Sequence, residues 1–171
     1  MEDGQEAAPD RSSNVADFDD TFRRCFGPMV RSLSVAAGDR EIAADCVQDA
    51  FERAFVRWRR VSRLDDPVAW IRHVAVNRMR DHFRKVERGG RAVRRLRSEQ
   101  PMVAQAPAEP SDLAALLDQL PTQQRIAAAL YYVDDLSVGE VAHAMGLSDG
   151  AVKYHLHAAR QSLRGALEPQ P

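Results

Sequence analysis

The chain has 171 residues, 44% of them hydrophobic and 29% charged, and its 24 basic side chains nearly balance its 25 acidic ones. Length and apolar content suit one ordinary domain or two small ones. The longest apolar run, Ile126 to Val133, is too short for a bilayer, the acidic start is no secretory signal, and two cysteines (Cys25 and Cys46) exclude a disulfide scaffold, so the expectation is a cytoplasmic protein without membrane insertion.

A net charge of −1 conceals a strong asymmetry. Residues 1–52 carry 5 basic and 12 acidic side chains, residues 53–100 carry 15 and 5, and residues 101–171 carry 4 and 8. Every basic residue except Lys85 and Lys153 is arginine, the side chain suited to bidentate phosphate contact. A GC-rich genome would explain arginine over lysine, but not the clustering.

Residues 1–16 mix Gly, Pro, Ser and acidic residues and read as a disordered tail. Phe18, Phe22, Phe26, Met29, Val30 and Leu33 then recur at helical spacing up to about Val35, across a possible kink site at Gly27-Pro28. A second helix is predicted from about Asp39 to Arg59, with Ala43, Val47, Ala50, Phe51, Ala54, Phe55 and Trp58 at steps of three and four. A third begins with Asp66 as N-cap and Pro67 in the first turn, runs to about Val86, and meets a stop signal at Gly89-Gly90.

Residues 98–111, with three prolines and no apolar periodicity, read as a flexible linker. Leu113–Leu120 follows, then a helix from Thr122 to about Val133. Ser137-Val138-Gly139-Glu140 is a capping box opening a short helix that ends near Gly146, and Ser148 caps a last helix continuing to about Leu167. No strand-like alternation occurs. The expected fold is all-α: two small helical domains, residues 17–97 and 112–168, joined by the linker 98–111.

Between Leu136 and Leu163 the pattern is helix, glycine-containing turn, helix. Val138, Val141, Ala142 and Met145 form the inward stripe of the first helix, and Val152, Leu156, Ala159 and Leu163 that of the second. Ser148, Asp149, Lys153, Tyr154, His157 and Arg160 are left outward, with His155 near the boundary. A second helix held at such an angle can enter a major groove, which makes this segment a candidate DNA-binding helix-turn-helix rather than a plain helical hairpin. Only Arg125, Lys153, Arg160 and Arg164 can neutralise phosphates here, so affinity must come from the basic middle segment or a partner.

Three groups of residues, Ala43-Ala44-Asp45-Cys46-Val47-Gln48-Asp49-Ala50-Phe51, Pro67-Val68-Ala69-Trp70-Ile71 and Ala75-Val76-Asn77, resemble the first conserved domain (region 2) of extracytoplasmic-function (ECF) sigma factors of the sigma-70 family. Leu120-Pro121, Gln124-Arg125, Leu136-Ser137, Glu140-Val141-Ala142, Gly150-Ala151-Val152-Lys153 and Ala159-Arg160 resemble the second (region 4). The resemblance implies an alternative sigma factor. Such a protein binds bacterial core RNA polymerase through the β′ clamp helices and the β subunit, and directs initiation by reading the −35 and −10 elements of promoter DNA. Family members are usually held inactive by an anti-sigma factor.

By the same resemblance, Asp45, Gln48, Asp49 and Glu52 face core polymerase, where an acidic, amide-bearing helix face suits a basic helical hairpin. Asn77 lies near the pocket for a flipped −10 base, and Arg80, Asp81, Arg84, Lys85 and Arg88 follow on the −10 helix. Trp70 and Phe83 are candidate stacking groups, with packing the stronger reading for Trp70. Arg91, Arg94, Arg95 and Arg97 either track phosphates or are solvated. Ser148, Lys153, Tyr154, His155, His157 and Arg160 form the −35 set. Tyr154-His155 replaces a frequent Ser-Arg and Ala158 a frequent Arg, which implies weaker phosphate contact and a different base preference.

An enzyme is not expected. Gly89-Gly90 stands alone rather than in a phosphate loop, His155 and His157 lie on different sides of a helix without further metal ligands, and both cysteines fall in apolar patterns, so no cofactor or metal is called for. The competing readings are a stand-alone helix-turn-helix regulator binding a symmetric operator, and an interaction protein whose basic segment binds an acidic partner.

Overall fold

The computed structural model describes residues 11–96, 117 and 119–167. Among these, seven helices follow in order: α1 Arg11–Ala37, α2 Arg40–Val56, α3 Trp58–Val61, α4 Pro67–Leu96, α5 Thr122–Tyr132, α6 Val138–Met145 and α7 Asp149–Leu167. The linker 98–111, residues 1–10, Arg97 and, within Leu113–Leu120, residues 113–116 and 118 lie outside the described residues, as do the side chains of Arg91, Arg94 and Arg95.

The caps predicted at Asp66, Ser137 and Ser148 are present, and Asp39, expected only as the start of the second helix, caps it as well. Asp39 Oδ1 accepts from the amides of Glu41 (2.7 Å) and Ile42 (3.2 Å), and Asp66 Oδ1 from that of Ala69 (2.8 Å). Both halves of the capping box between Ser137 and Glu140 form. Ser148 Oγ accepts from the Ala151 amide at 3.2 Å. Each side chain takes up helix N–H groups that have no intrahelical acceptor.

Helix boundaries differ from expectation in three places. Helix α1 begins at Arg11, inside the stretch read as a tail, and continues through Gly27-Pro28. The second predicted helix breaks at Arg57, whose amide bonds back to Ala54 O, so Trp58 starts a separate short turn. Helix α4 runs past Gly89-Gly90 to Leu96. A glycine costs about 1 kcal/mol against alanine inside a helix, which the flanking Arg, Ala and Leu can carry.

The N-terminal helices are held by rings. Phe18 meets Trp58 edge-on at 5.2 Å between centroids, coupling α1 to α3, and Phe22 meets Phe51 at 5.1 Å, coupling α1 to α2. Phe55, expected in the buried stripe, is instead 55% exposed, although its ring meets Phe18 of α1 edge-on at 5.0 Å. In the C-terminal part Val141, Met145, Val152, Leu156 and Ala159 are buried as the helix-turn-helix pattern predicts.

The two parts do not stand apart. Leu33, Val47, Ile71 and Met79 belong to the same apolar cluster as Ile126, Leu130, Val141 and Met145. Helix α5 packs on α1, and α6 packs on α4. At the margin Arg72 of α4 reaches Asp134, after α5, at 3.4 Å. Burial pushes the Asp134 carboxyl up while Arg72 pulls it back, so the pair is worth less than its distance suggests.

Ser137→Ala removes the capping box and should cost about 1 kcal/mol, read as a lower urea midpoint. The Glu140 carboxyl is held below its ordinary value by hydrogen bonds from the Ser137 hydroxyl and amide. Its stabilising contribution is therefore present above the ordinary carboxylate value and lost as pH falls through the lowered one, an acid-side loss that Ser137→Ala should shrink.

Candidate nucleic-acid interface

On α2 the residues predicted to face polymerase behave differently from one another. Asp45 is exposed, and Gln48 Nε2 donates to Glu52 Oε1 at 2.9 Å on the open face. Asp49 is half-buried. Its Oδ2 lies 2.7 Å from Arg78 Nε of α4 and 2.9 Å from Arg53 Nε, and Arg78 Nη2 donates to Oδ1 at 3.3 Å. A fork-to-carboxylate pair of this kind fixes geometry, so Asp49 braces α2 against α4 in addition to any contact it makes outward.

Helix α4 sets its polar residues on two faces. Asp81, Arg84, Lys85 and Arg88 are exposed, with Arg84 paired to Asp81 at 3.0 Å. Asn77 and Arg80 are half-buried and engaged. Asn77 Nδ2 lies 2.8 Å from His73 Nε2, His73 Nδ1 lies 3.0 Å from the His143 carbonyl, and Arg80 Nη1 donates to the Met145 carbonyl at 2.6 Å. Burial lowers the Arg80 pKa, with Arg84 adding to the effect. Phe83 is partly buried under the Arg125 guanidinium, 5.2 Å from its ring centroid. Trp70 is half-buried and packs against the core while lining a hollow with Arg57, Arg60, Val61 and Leu64.

Helix α7 leaves Lys153, Tyr154, His157 and Arg160 exposed, Tyr154 to 67%. Ser148 is exposed and spends its hydroxyl on the cap. His155 differs from the rest of its set. Its Nδ1 is buried without a hydrogen-bond partner, and burial, with repulsion from Arg80, holds its pKa below the ordinary imidazole value. It is half-buried, near Arg80 of α4, rather than part of the exposed set.

Several residues in this arrangement were not singled out in the sequence: His73, Arg72, Arg78 and Asp134. His73 had one usable signal, since it sits one turn before Asn77. The apolar edge of Phe22, Phe55 and Val56 (38%, 55% and 83% exposed) had none. Burial raises both cysteines, Cys46 to about 11, which favours the thiol over the thiolate. Among the described residues no group of three or more His, Cys, Asp or Glu could hold a metal, and no helix is long and apolar enough to cross a membrane.

An arginine-bearing helix beside a helix-turn-helix, each with its own outward polar set, is the layout of a two-site DNA reader. The family descriptions "Sigma-70 region 2" and "Sigma-70, region 4" match residues 23–89 and 111–163. The RNA polymerase sigma-E factor of Streptomyces coelicolor is 31% identical over 162 residues, 90% of this chain and 87% of that protein. The ECF RNA polymerase sigma factor SigM of Bacillus subtilis is 27% identical over 85% of this chain and 92% of its own. The structure of the sigma factor RpoE in complex with the anti-sigma factor NepR from Bartonella quintana superposes with a TM-score of 0.71 at 22% identity, covering 92% of this chain and all of that one. The chain belongs to the sigma-70 family, in its extracytoplasmic-function group.

The lowered His155 value has a definite sign. Stability from neutral His155 is fully present above the unfolded imidazole value of about 6.5 and is lost as pH falls through the lowered folded value. Between about pH 7.5 and 5.5 the wild-type urea midpoint should fall, and His155→Gln should flatten that fall.

Proposed function

We propose that this alternative sigma factor docks on core RNA polymerase through the exposed face of α2, sets α7 in the major groove of a −35 element, and captures an unpaired −10 base at Asn77. The observation that carries the reading is the presence in one chain, in family order, of both matched regions, each with an outward polar set of the appropriate chemistry. The protein contributes binding rather than bond chemistry, and its place of action is the cytoplasm, where the polymerase is.

Asp45, Gln48 and Glu52 offer charge and amide groups to a basic helical hairpin, which favours encounter rate and register. On DNA, Lys153 and Arg160 supply phosphate contacts and Tyr154 an exposed ring edge for bases. Arg84, Lys85 and Arg88 track the separated strand, and the Asn77 amide can both donate and accept at a base edge. Base flipping costs a few kcal/mol, which these contacts offset. An anti-sigma factor is the second proposed partner. The exposed apolar side chains of Phe22, Phe55 and Val56 support it, since exposed apolar surface favours protein contact. The stand-alone regulator is disfavoured by the region 2 match.

Core polymerase should co-elute with the wild-type chain on size exclusion, and Asp45→Ala/Gln48→Ala should lose that co-elution with its helical circular dichroism unchanged. Asp49 is left intact in this test because removing it also cuts the brace to α4. Asn77→Ala should still co-elute but form roughly tenfold less open complex, the equivalent of one lost hydrogen bond, scored by permanganate reactivity of unpaired thymines. A wild-type chain that shifts duplex DNA and ignores polymerase would overturn the reading.

A further inference from the structure

Of the 24 basic side chains only Lys85 and Lys153 are lysine. A guanidinium stays protonated, so these two amines are the members of the basic set that can accept an acyl group. Both are exposed, and each lies on a helix with an outward polar set, Lys85 on α4 and Lys153 on α7.

Their surroundings differ. Lys85 lines a hollow of about 180 Å³ between α2 and α4, together with Asp45, Cys46, Arg78, Asp81 and His82. One water takes a share of ~30 Å³ in the liquid, so the hollow has room for a small molecule. His82 is half-buried, its ring set edge-on against Phe83 at 5.9 Å, and it stands one helical turn before Lys85. Asp49 takes the Nε and Nη2 edge of Arg78, which leaves Nη1 as a donor. Arg88, also exposed, follows one turn after Lys85, and Arg84 offsets the Asp81 carboxylate at 3.0 Å. Lys153 has His157 one turn on, but no arginine three or four residues away on either side.

An amine with an imidazole and two guanidiniums beside it suits an acyl donor whose leaving group is a phosphate. We propose that Lys85 is an acylation site that takes the acyl group of a small acyl phosphate, with Lys153 the slower of the two lysines. The ammonium first gives one proton to His82, because an imidazole can hold and release a proton near neutral pH. The freed lone pair of Nζ attacks the acyl carbon. The N–C bond forms, the C–O bond to phosphate breaks, and its electron pair leaves on the phosphate oxygen. The second proton of the nitrogen departs with the phosphate as hydrogen phosphate, and His82 returns the first to water. Arg78 and Arg88 hold the phosphate as charge gathers on it. The product is a neutral amide between Arg84 and Arg88, with one positive charge fewer to meet a strand. That consequence, unlike the site, rests on the sigma reading of the preceding subsection.

The full chain treated with acetyl phosphate, followed by peptide mass spectrometry, tests the site. Lys85 should be acetylated about tenfold faster than Lys153, the mark of a placed base and a held leaving group. N-acetoxysuccinimide, an acyl donor without phosphate, should label the two lysines at similar rates. Equal rates with acetyl phosphate, or the same preference with the uncharged reagent, would refute the site. His82→Gln, its helical circular dichroism unchanged, should bring the Lys85 rate down toward that of Lys153, and an undiminished rate counts against the proposal. If that variant fails to fold, the comparison of the two reagents decides alone.

The consequence is scored apart. Acetylated chain should bind a fluorescein-labelled single-stranded DNA with a slope of log affinity against log salt shallower by about 0.7, the share of one phosphate contact. Lys85→Arg should keep its slope after the same treatment. Selective acetylation of Lys85 with an unchanged slope leaves the site standing and sinks the strand-tracking role given to Lys85 above.

Discussion

The carbonyl end of α6 needs donors that α6 cannot supply, and α4 supplies one of them. The amides of Gly146 and Leu147 turn back to His143 and Ala142, while Met145 O receives Arg80 from the other domain. His73 adds a second bond at His143 O. Around this polar contact the apolar cluster closes, with Met79 and Ile71 on one side and Met145, Leu130 and Ile126 on the other. The whole arrangement of two family regions in one body depends on that joint. A different orientation of α6 would leave its last carbonyl without Arg80 and expose the shared core.

The same joint couples fold and function in opposite directions. Groups suited to nucleic acid are also the groups that can satisfy a helix terminus, because a phosphate and a carbonyl end ask for the same donors. Asp49 shows the parallel case on α2, where a carboxylate in the expected polymerase face also bridges to Arg78. A substitution at either position changes packing as well as any proposed recognition, which is why Asp45 and Gln48 separate the two effects better than Asp49 does.

Much of the chain was legible before folding was considered. Asp66, Ser137 and Ser148 were readable as caps because a cap bonds to amides two or three residues away. The helix-turn-helix was readable because Val141, Met145, Val152, Leu156 and Ala159 repeat at helical steps around Gly146. Where the reading failed, local signals competed: Gly89-Gly90 looked like a stop but propensity is a weak constraint beside its neighbours, and Phe55 had the spacing of a core residue but stays 55% exposed beside the edge of Phe18.

The sequence by itself determined the helices, their caps, the order of the two regions and the polar sets that each would offer to DNA or polymerase. Tertiary structure alone decided which of those groups are free. Arg80 meets a carbonyl 65 residues away, His73 one 70 residues away, and Asp49 a guanidinium 29 residues away. Caps and periodicity act within one or two helical turns, whereas these pairings depend on how α6 docks on α4, and docking is fixed by the summed burial of a core drawn from both ends of the chain.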